Sequence, residues 1–293
     1  MSLSNKIDFA IIISVNNANP NGDPLNGNRP RTNYDGYGEM SDVCIKRKLR
    51  NRLLDSGEKI LVQSNDYRID EYESIQGRYS SVISQKQQKM NSTDQVKIAC
   101  STWFDVRAFG QVLAFKKAEK ETKKESESIT ESESETKKES EKGLSISIRG
   151  PVSIQSAFSV ETVDISTLQI TKSLNNMIKD NGTRAKDTMG EKHRVDRGVY
   201  VTYGSINRQL AEKTGFNDND AKILKTAMRK LFDNDESSAR PAGSMEVLKV
   251  IWWTHGGCVL SSAKVHRSLN VNPDGTYSLD ALEGIEVEEL ESL

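Results

Sequence analysis

Cysteine is scarce in this chain: Cys44, Cys100 and Cys258 are all there is in 293 residues, an odd number with no paired spacing. That excludes a disulfide framework and a zinc-ribbon pattern, and leaves three reduced, buried thiols as the expectation. Histidine is equally rare. His193, His255 and His266 lack metal-ligand spacing, and the neighbours His255 and Cys258 read as structural. Long apolar runs are missing too, since the longest, Phe9 to Ile13, is far short of the ~18 residues that cross a bilayer. Nor is a secretory signal expected: Asp8 interrupts the stretch, and Asn16, Asn17 and Asn19 stand where small cleavage-site residues belong. A cytoplasmic protein without membrane contact is expected. No Walker loop, dinucleotide glycine fingerprint, nucleophile elbow or clustered carboxylate set is present. Neither a cofactor, a bound metal nor a catalytic group is therefore expected.

What is present is charge, and it is segregated. From Lys116 to Lys142 the chain is almost wholly Lys, Glu, Ser and Thr, with eight lysines and nine glutamates. From Asp280 to the end there are six acids and no base. Setting both aside leaves 33 basic residues against 27 acidic ones, a body that attracts a polyanion although the whole chain carries −1. The 116–142 stretch holds only Ala118 and Ile129 as apolar side chains and cannot offset the entropy of ordering, so it reads as a disordered, solvated insertion.

Strand-like segments flank that insertion, Gln111 to Phe115 before it and the period-two run Leu144 to Arg149 after it, so the insertion extends a hairpin. Ile7 to Val15 reads as a buried strand, and Val247 to Thr254, with Trp252 and Trp253, as another. Ser41 or Asp42 caps a helix running to about Asp55, with Gly57 as its left-handed stop. Ser205 to Lys213 and Asn219 to Phe232 read as packing helices. Strands and helices do not alternate regularly enough for a doubly wound sheet, which leaves α+β with an antiparallel sheet and long insertions.

Four segments are candidates for contact with an anionic polymer. The first, Asn16 to Arg31, has six asparagines, two glycines and three prolines, a rigid irregular loop able to aim amides at an anion or base edge, and it ends on Arg29 and Arg31. The second is the helix Asp42 to Leu54, where Ile45, Leu49 and Leu53 form the buried stripe while Lys46/Arg50 and Lys48/Arg52 stack like charges one turn apart. A chain with no anionic partner has little reason for such stacking, so part of this face is expected to track phosphates. The third, Thr183 to Gly198, reads as a projecting loop or ribbon in which Met189 is a wedge between bases or a packed side chain. The fourth is the turn Arg240 to Gly243. Asp23 is the one carboxylate that stands out, and its place between Gly22 and Pro24 suits a turn.

Several of these motifs together resemble a known family. Asn19-Pro-Asn-Gly-Asp-Pro24, Lys46-Arg-Lys-Leu-Arg-Asn51, Asp105-Val-Arg-Ala-Phe-Gly110, Arg149-Gly-Pro-Val-Ser-Ile-Gln-Ser-Ala157, Thr188-Met-Gly-Glu-Lys-His193 and the helical region from Gly204 to Asp235 are similar to the backbone subunit of the type I-C CRISPR surveillance (Cascade) complex, a member of the RAMP superfamily. The resemblance implies one RRM-like or ferredoxin-like palm over residues 1–293 with finger and thumb insertions, polymerising head to tail along a CRISPR guide RNA (crRNA) and presenting it to target DNA. It further implies contact with neighbouring copies and with the large, small and 5′-handle-binding subunits. Carried onto this sequence, Asn19, Arg29, Arg31, Lys46, Arg47 and Arg50 would line the guide groove. Residues 172–197 would form the thumb, with Lys172 at its start, Met189 as wedge and Lys192 and His193 beside the RNA; Arg240 would be a further contact, and 280–293 an acidic tail. Related backbone subunits of type III complexes cut RNA with an aspartate in the equivalent first loop, which makes a metal-dependent ribonuclease using Asp23 the alternative.

Overall fold

A computed structural model describes residues 2–83, 91–115, 144–171, 189–257 and 260–293. Its centre is β1 (Ile7–Ala18), whose β-branched run is buried on both faces. Phe9, Ile11, Ile13 and Val15 face one core, Ala10 and Ile12 the other. Burial on both faces is why the run is nearly continuous in apolar residues instead of alternating. β1 lies between β10 (Met189–Ile206) and β11 (Met245–His255), antiparallel to both. Beyond β11 comes β14 (Ile285–Leu290); beyond β10 come β8 (Ala157–Thr162) and β4 (Tyr37–Met40), while β7 (Val152–Ile154) and β9 (Ile165–Thr171) also pair with β10. This is the expected α+β architecture, a central antiparallel sheet with helical insertions, consistent with an RRM-like or ferredoxin-like palm.

One face of the sheet is covered by α1 (Asp42–Asp55), α4 (Phe104–Phe109), α5 (Arg208–Thr214) and α6 (Asp218–Arg229). Ser41 caps α1, its Oγ accepting from the Cys44 amide at 3.3 Å, and Gly57 beyond the helix takes φ +86°. Asn217 and Asp220 form a reciprocal capping box on α6. Phe9 stacks on Trp252 with ring centroids 5.8 Å apart, and a Cβ at Gly204 would sit 2.2 Å from the Phe9 ring, so that crossing admits glycine. Each such buried ring contributes about 1.5–3 kcal/mol. The other face carries α7 (Ser262–His266) and the hairpin of β12 (Leu269–Val271) with β13 (Tyr277–Leu279). Among these residues is Asp8, fully buried, with His255 Nε2 at 2.7 Å and Lys6 Nζ at 3.0 Å. A separate core joins α2 (Ile75–Val82), α3 (Ser92–Thr102), part of α4, and the hairpin of β5 (Gly110–Phe115) with β6 (Leu144–Arg149). That hairpin is the one read from the sequence; the 116–142 insertion lies outside the described residues.

Four expectations are corrected. Ser205 and Ile206 are the end of β10, bonded to Asp8 and Ile7, and the helix starts only after the Asn207 cap. The helix read as 219–232 is Asp218–Arg229, and Phe232 lies in the turn that follows it. β1 continues through Asn16 to Ala18, because Asn16 pairs with Arg197 and Ala18 with Val195. The acidic 280–293 segment contains β14, which pairs along β11 from Val250 to His255. Lys225 reaches Glu288 at 2.7 Å and Lys249 reaches Glu291 at 3.3 Å, so the tail's six acids belong to the folded body and cancel its apparent positive excess.

Candidate nucleic-acid interface

At the end of the sheet where β1 stops, the four basic segments come together. The chain leaves β1 into the short hairpin of β2 (Gly22–Asp23) and β3 (Arg29–Pro30). A single turn of 3₁₀ helix, Pro24–Asn26, forms its tip, and Gly27 and Asn28 close it in left-handed conformations at φ +57° and +59°. The Asn19 amide donates to Ala239 O at 2.9 Å, tying the loop to the 235–240 turn, and the Asn21 carboxamide oxygen accepts from the Ser41 amide, tying it to the start of α1. β3 lies against β10, on which Lys192, His193, Arg194 and Arg197 stand.

The side chains sort into two kinds. Asn19 is 3 % exposed and its Nδ2 donates to Asn28 O at 2.7 Å, so its carboxamide organises the loop from within instead of facing outward. Asp23 accepts from the Leu25 amide at 3.2 Å and pairs with Arg31 at 3.3 Å. Both are turn chemistry. Arg29, in contrast, is half-buried and makes no ion pair among the described residues.

On α1 every cation has an internal partner. Lys46 pairs with Asp42 at 2.9 Å; Arg47 donates to Val62 O at 2.9 Å; Arg50 meets Asp105 at 3.0 Å; Arg52 meets Asp55 at 2.9 Å and the Tyr67 hydroxyl at 2.9 Å. Lys48 is buried against Asp235, which also holds Arg240 at 2.9 Å, and Lys48 lies over the Phe232 ring. The inference that stacked like charges require an external polyanion is thereby overturned, because the anions are Asp42, Asp55, Asp105 and Asp235 of this chain. Nor is the Arg240 cation alone in its turn. Burial lowers the Lys48 ammonium from its ordinary value against the opposing pull of Asp235, and raises the Cys44 thiol, which Lys48 and Arg240 partly offset. Desolvation followed by repulsion from Arg50 lowers Arg47.

The third segment is a two-stranded ribbon. β9 and the start of β10 pair from Met189 opposite Thr171 to Val195 opposite Ile165. Lys192 stands half-exposed on it without an ion pair among the described residues, and Arg197, exposed, lies opposite Asn16. His193 is 6 % exposed, with Nδ1 at 2.9 Å from Thr167 Oγ1 and Nε2 at 3.6 Å from Glu191. Lys172 and the side chain of Met189 lie outside the described residues. Arg197 lies within the third segment read from the sequence but was not singled out there; its signal is its register opposite Asn16, which no local pattern carries.

A family model, CRISPR-associated protein Cas7, matches residues 5–288. The chain belongs to the Cas7 family. A curated Cas7-family relative, the CRISPR-associated protein Cas7 of Haloferax volcanii, is 24% identical over 245 residues, covering 83% of this chain and 68% of its own. Two solved structures are similar to this Cas7-family chain. A chain of a CRISPR RNA-guided surveillance complex in a pre-nicking state has a TM-score of 0.46 and 14% identity, over 95% of this chain and 84% of that one. A chain of a CRISPR RNA-guided surveillance complex has a TM-score of 0.44 and 16% identity, over 92% and 77% respectively. Among the described residues of this Cas7 chain, no helix is long and apolar enough to cross a membrane, and no three His, Cys, Asp or Glu side chains gather to hold a metal.

Proposed function

We propose that this chain is the noncatalytic, crRNA-binding backbone subunit of a type I-C Cascade complex. It polymerises head to tail along the guide and presents the guide's bases to target DNA in antiviral defence. The observation that carries the reading is the convergence of a rigid first loop, a projecting ribbon and the unpaired cations Arg29, Lys192 and Arg197 at one end of the sheet of a Cas7-family chain. Lysine and arginine side chains hold phosphates without regard to sequence, as a guide whose spacer varies requires. On this reading the α1 cations Lys46, Arg47, Lys48 and Arg50 and the turn's Arg240 position the groove by fixing the loop and helix, as does Asn19. The residues from 172 to 197 are the thumb. Lys172 contacts phosphate, Met189 is the wedge and His193 braces the ribbon. The partners are the guide, the target strand through the guide, neighbouring copies, and the large, small and 5′-handle-binding subunits, in the cytoplasm.

Asp23 has a structural task, capping Leu25 and pairing with Arg31, that accounts for it without nucleolysis. The decisive experiment measures binding and integrity of RNAs of increasing length across salt. Length-dependent assembly indifferent to sequence is expected, with intact RNA and a salt slope reduced in Arg29→Ser/Lys192→Ser/Arg197→Ser. Loss of RNA that requires a divalent metal and vanishes in Asp23→Ala would overturn the reading.

A further inference from the structure

The flank of the sheet formed by β4 and β8 differs from the rest of the surface. Along it Glu39 pairs with Phe158 and Tyr37 with Thr162, and Phe158 in turn sits opposite Val201 of β10. The register of β4 against β8 shifts between Tyr37 and Glu39. Tyr37 and Glu39, two apart on β4, share one face, and Phe158 lies on it opposite Glu39. It is the face that α7, β12 and β13 cover farther along, over β10, β1 and β11. Here the cover stops. Phe158 is 43% and Tyr37 37% exposed, and Tyr34, in the turn just before β4, is wholly exposed at 104%. The turn is held rigidly, since the Asn33 side chain accepts from the amides of Asp35 and Tyr37, at 3.0 and 2.9 Å, and the Val163 amide donates to Gly36 O at 3.1 Å.

The charge around these rings is mostly negative. Asp35 and Asp164 are exposed and Glu39 is half-buried. None of the three meets a cation among the described residues, whereas nearly every acid around α1 does. On adjoining segments Arg31 is engaged with Asp23 and Arg194 with Asp196, while Arg197 carries no ion pair among the described residues. Exposed aromatic rings ringed by unpaired carboxylates are what a basic side chain finds most favourable: a guanidinium lies on a ring face while its edge bonds a carboxylate. A phosphodiester strand would also stack on the rings, but the three carboxylates repel it.

We propose that the β4/β8 flank, with Tyr34, Tyr37 and Phe158 beside Asp35, Glu39 and Asp164, is a docking surface for a basic, arginine-rich segment of a partner protein. It is independent of the RNA-binding reading. The probe is a short fluorescent peptide alternating arginine and leucine, titrated into the full-length protein and followed by anisotropy, with an oligouridine strand in parallel. Tyr37→Ser/Phe158→Ser and Glu39→Lys/Asp164→Lys are each expected to weaken peptide binding about tenfold. Glu283→Lys/Glu286→Lys, at the start of the acidic edge strand and in the turn before it, is expected to leave it within about twofold. Tyr34→Ser, which removes a fully solvated side chain, guards against misfolding and is expected to weaken the peptide with unchanged melting. Equal losses in the Glu283/Glu286 variant would overturn the proposal. So would oligouridine, in place of the peptide, responding to the aromatic variants, or wild-type protein self-associating through this flank on sedimentation.

Discussion

Helix α1 and the β9–β10 ribbon with its neighbouring loop are both basic in sequence, yet they are opposite in structure. On α1, Lys46, Lys48, Arg50 and Arg52 each have a carboxylate, and two of those carboxylates arrive from residues 55 and 187 positions away. Beside the ribbon, Arg29, Lys192 and Arg197 have no ion-pair partner among the described residues. A cluster of cations is therefore no measure of affinity for a polyanion; the number left unneutralised is. Buried pairs such as Arg50 with Asp105 resist competition by phosphate, because separating them leaves an uncompensated charge.

The strongest way to break this comparison is Asp105→Ala. Asp105 is 1% exposed and accepts from Arg50 at 3.0 Å and from the amides of Leu61 and Val62 at 2.8 and 3.1 Å. Its removal is expected to cost about 3–5 kcal/mol in urea unfolding, while the protein that remains folded keeps its RNA affinity. Unchanged stability with lost RNA binding would place α1 in the interface instead. Next in size, Arg29→Ser/Lys192→Ser/Arg197→Ser is expected to reduce the logarithmic salt slope of RNA binding by about 0.7 per cation, with melting nearly unmoved. A large drop in melting temperature would show those cations to be structural.

A smaller effect tests the buried polar face beneath α7. Burial lowers His266 from its ordinary value of 6.5, with Asp8 pulling it back up and Lys6 pushing it further down. A base whose folded value lies below its free value binds a proton more readily when unfolded. This contribution to stability is therefore complete at neutral pH and is lost as pH falls below 6.5. His266→Gln is expected to flatten that part of the stability profile, and an unaltered slope on urea titration across pH would refute the assignment. The smallest effect is Lys46→Ala, whose half-exposed one-turn pair with Asp42 contributes about 0.3–0.5 kcal/mol. A shift of several degrees in melting would mean that Lys46 does more than pair.

The fold was legible where local pattern decides it. The Ile7–Ile13 run, the Ser41 cap and the β5–β6 hairpin are all written in neighbouring residues. What was not legible depends on distant partners. Nothing near Lys48 announces Asp235, and nothing near Arg50 announces Asp105. The acidic C-terminal stretch carried a period-two signal, Ile285, Val287 and Glu286, Glu288, but its sign obscured it; the distant cations Lys225 and Lys249 help explain why an acidic strand closes that edge. The first loop's asparagines were rightly read as turn formers, yet Asn19 was not read as facing inward, because a carboxamide serves a backbone carbonyl as readily as a ligand.

β10 runs unbroken for 18 residues, from the paired ribbon at Met189 to Ile206 beside β7. At about 3.3 Å per residue that is a rod of roughly 60 Å. Its described length has no glycine-rich joint between the part that projects and the part bonded to β1. Force applied at the ribbon therefore loads the central hydrogen-bond ladder in shear, along the strand, where many bonds must yield together. A subunit pulled by its ribbon would resist as one stiff beam, and the deflection would be felt at Lys6 and Asn207, at the far pole of the molecule.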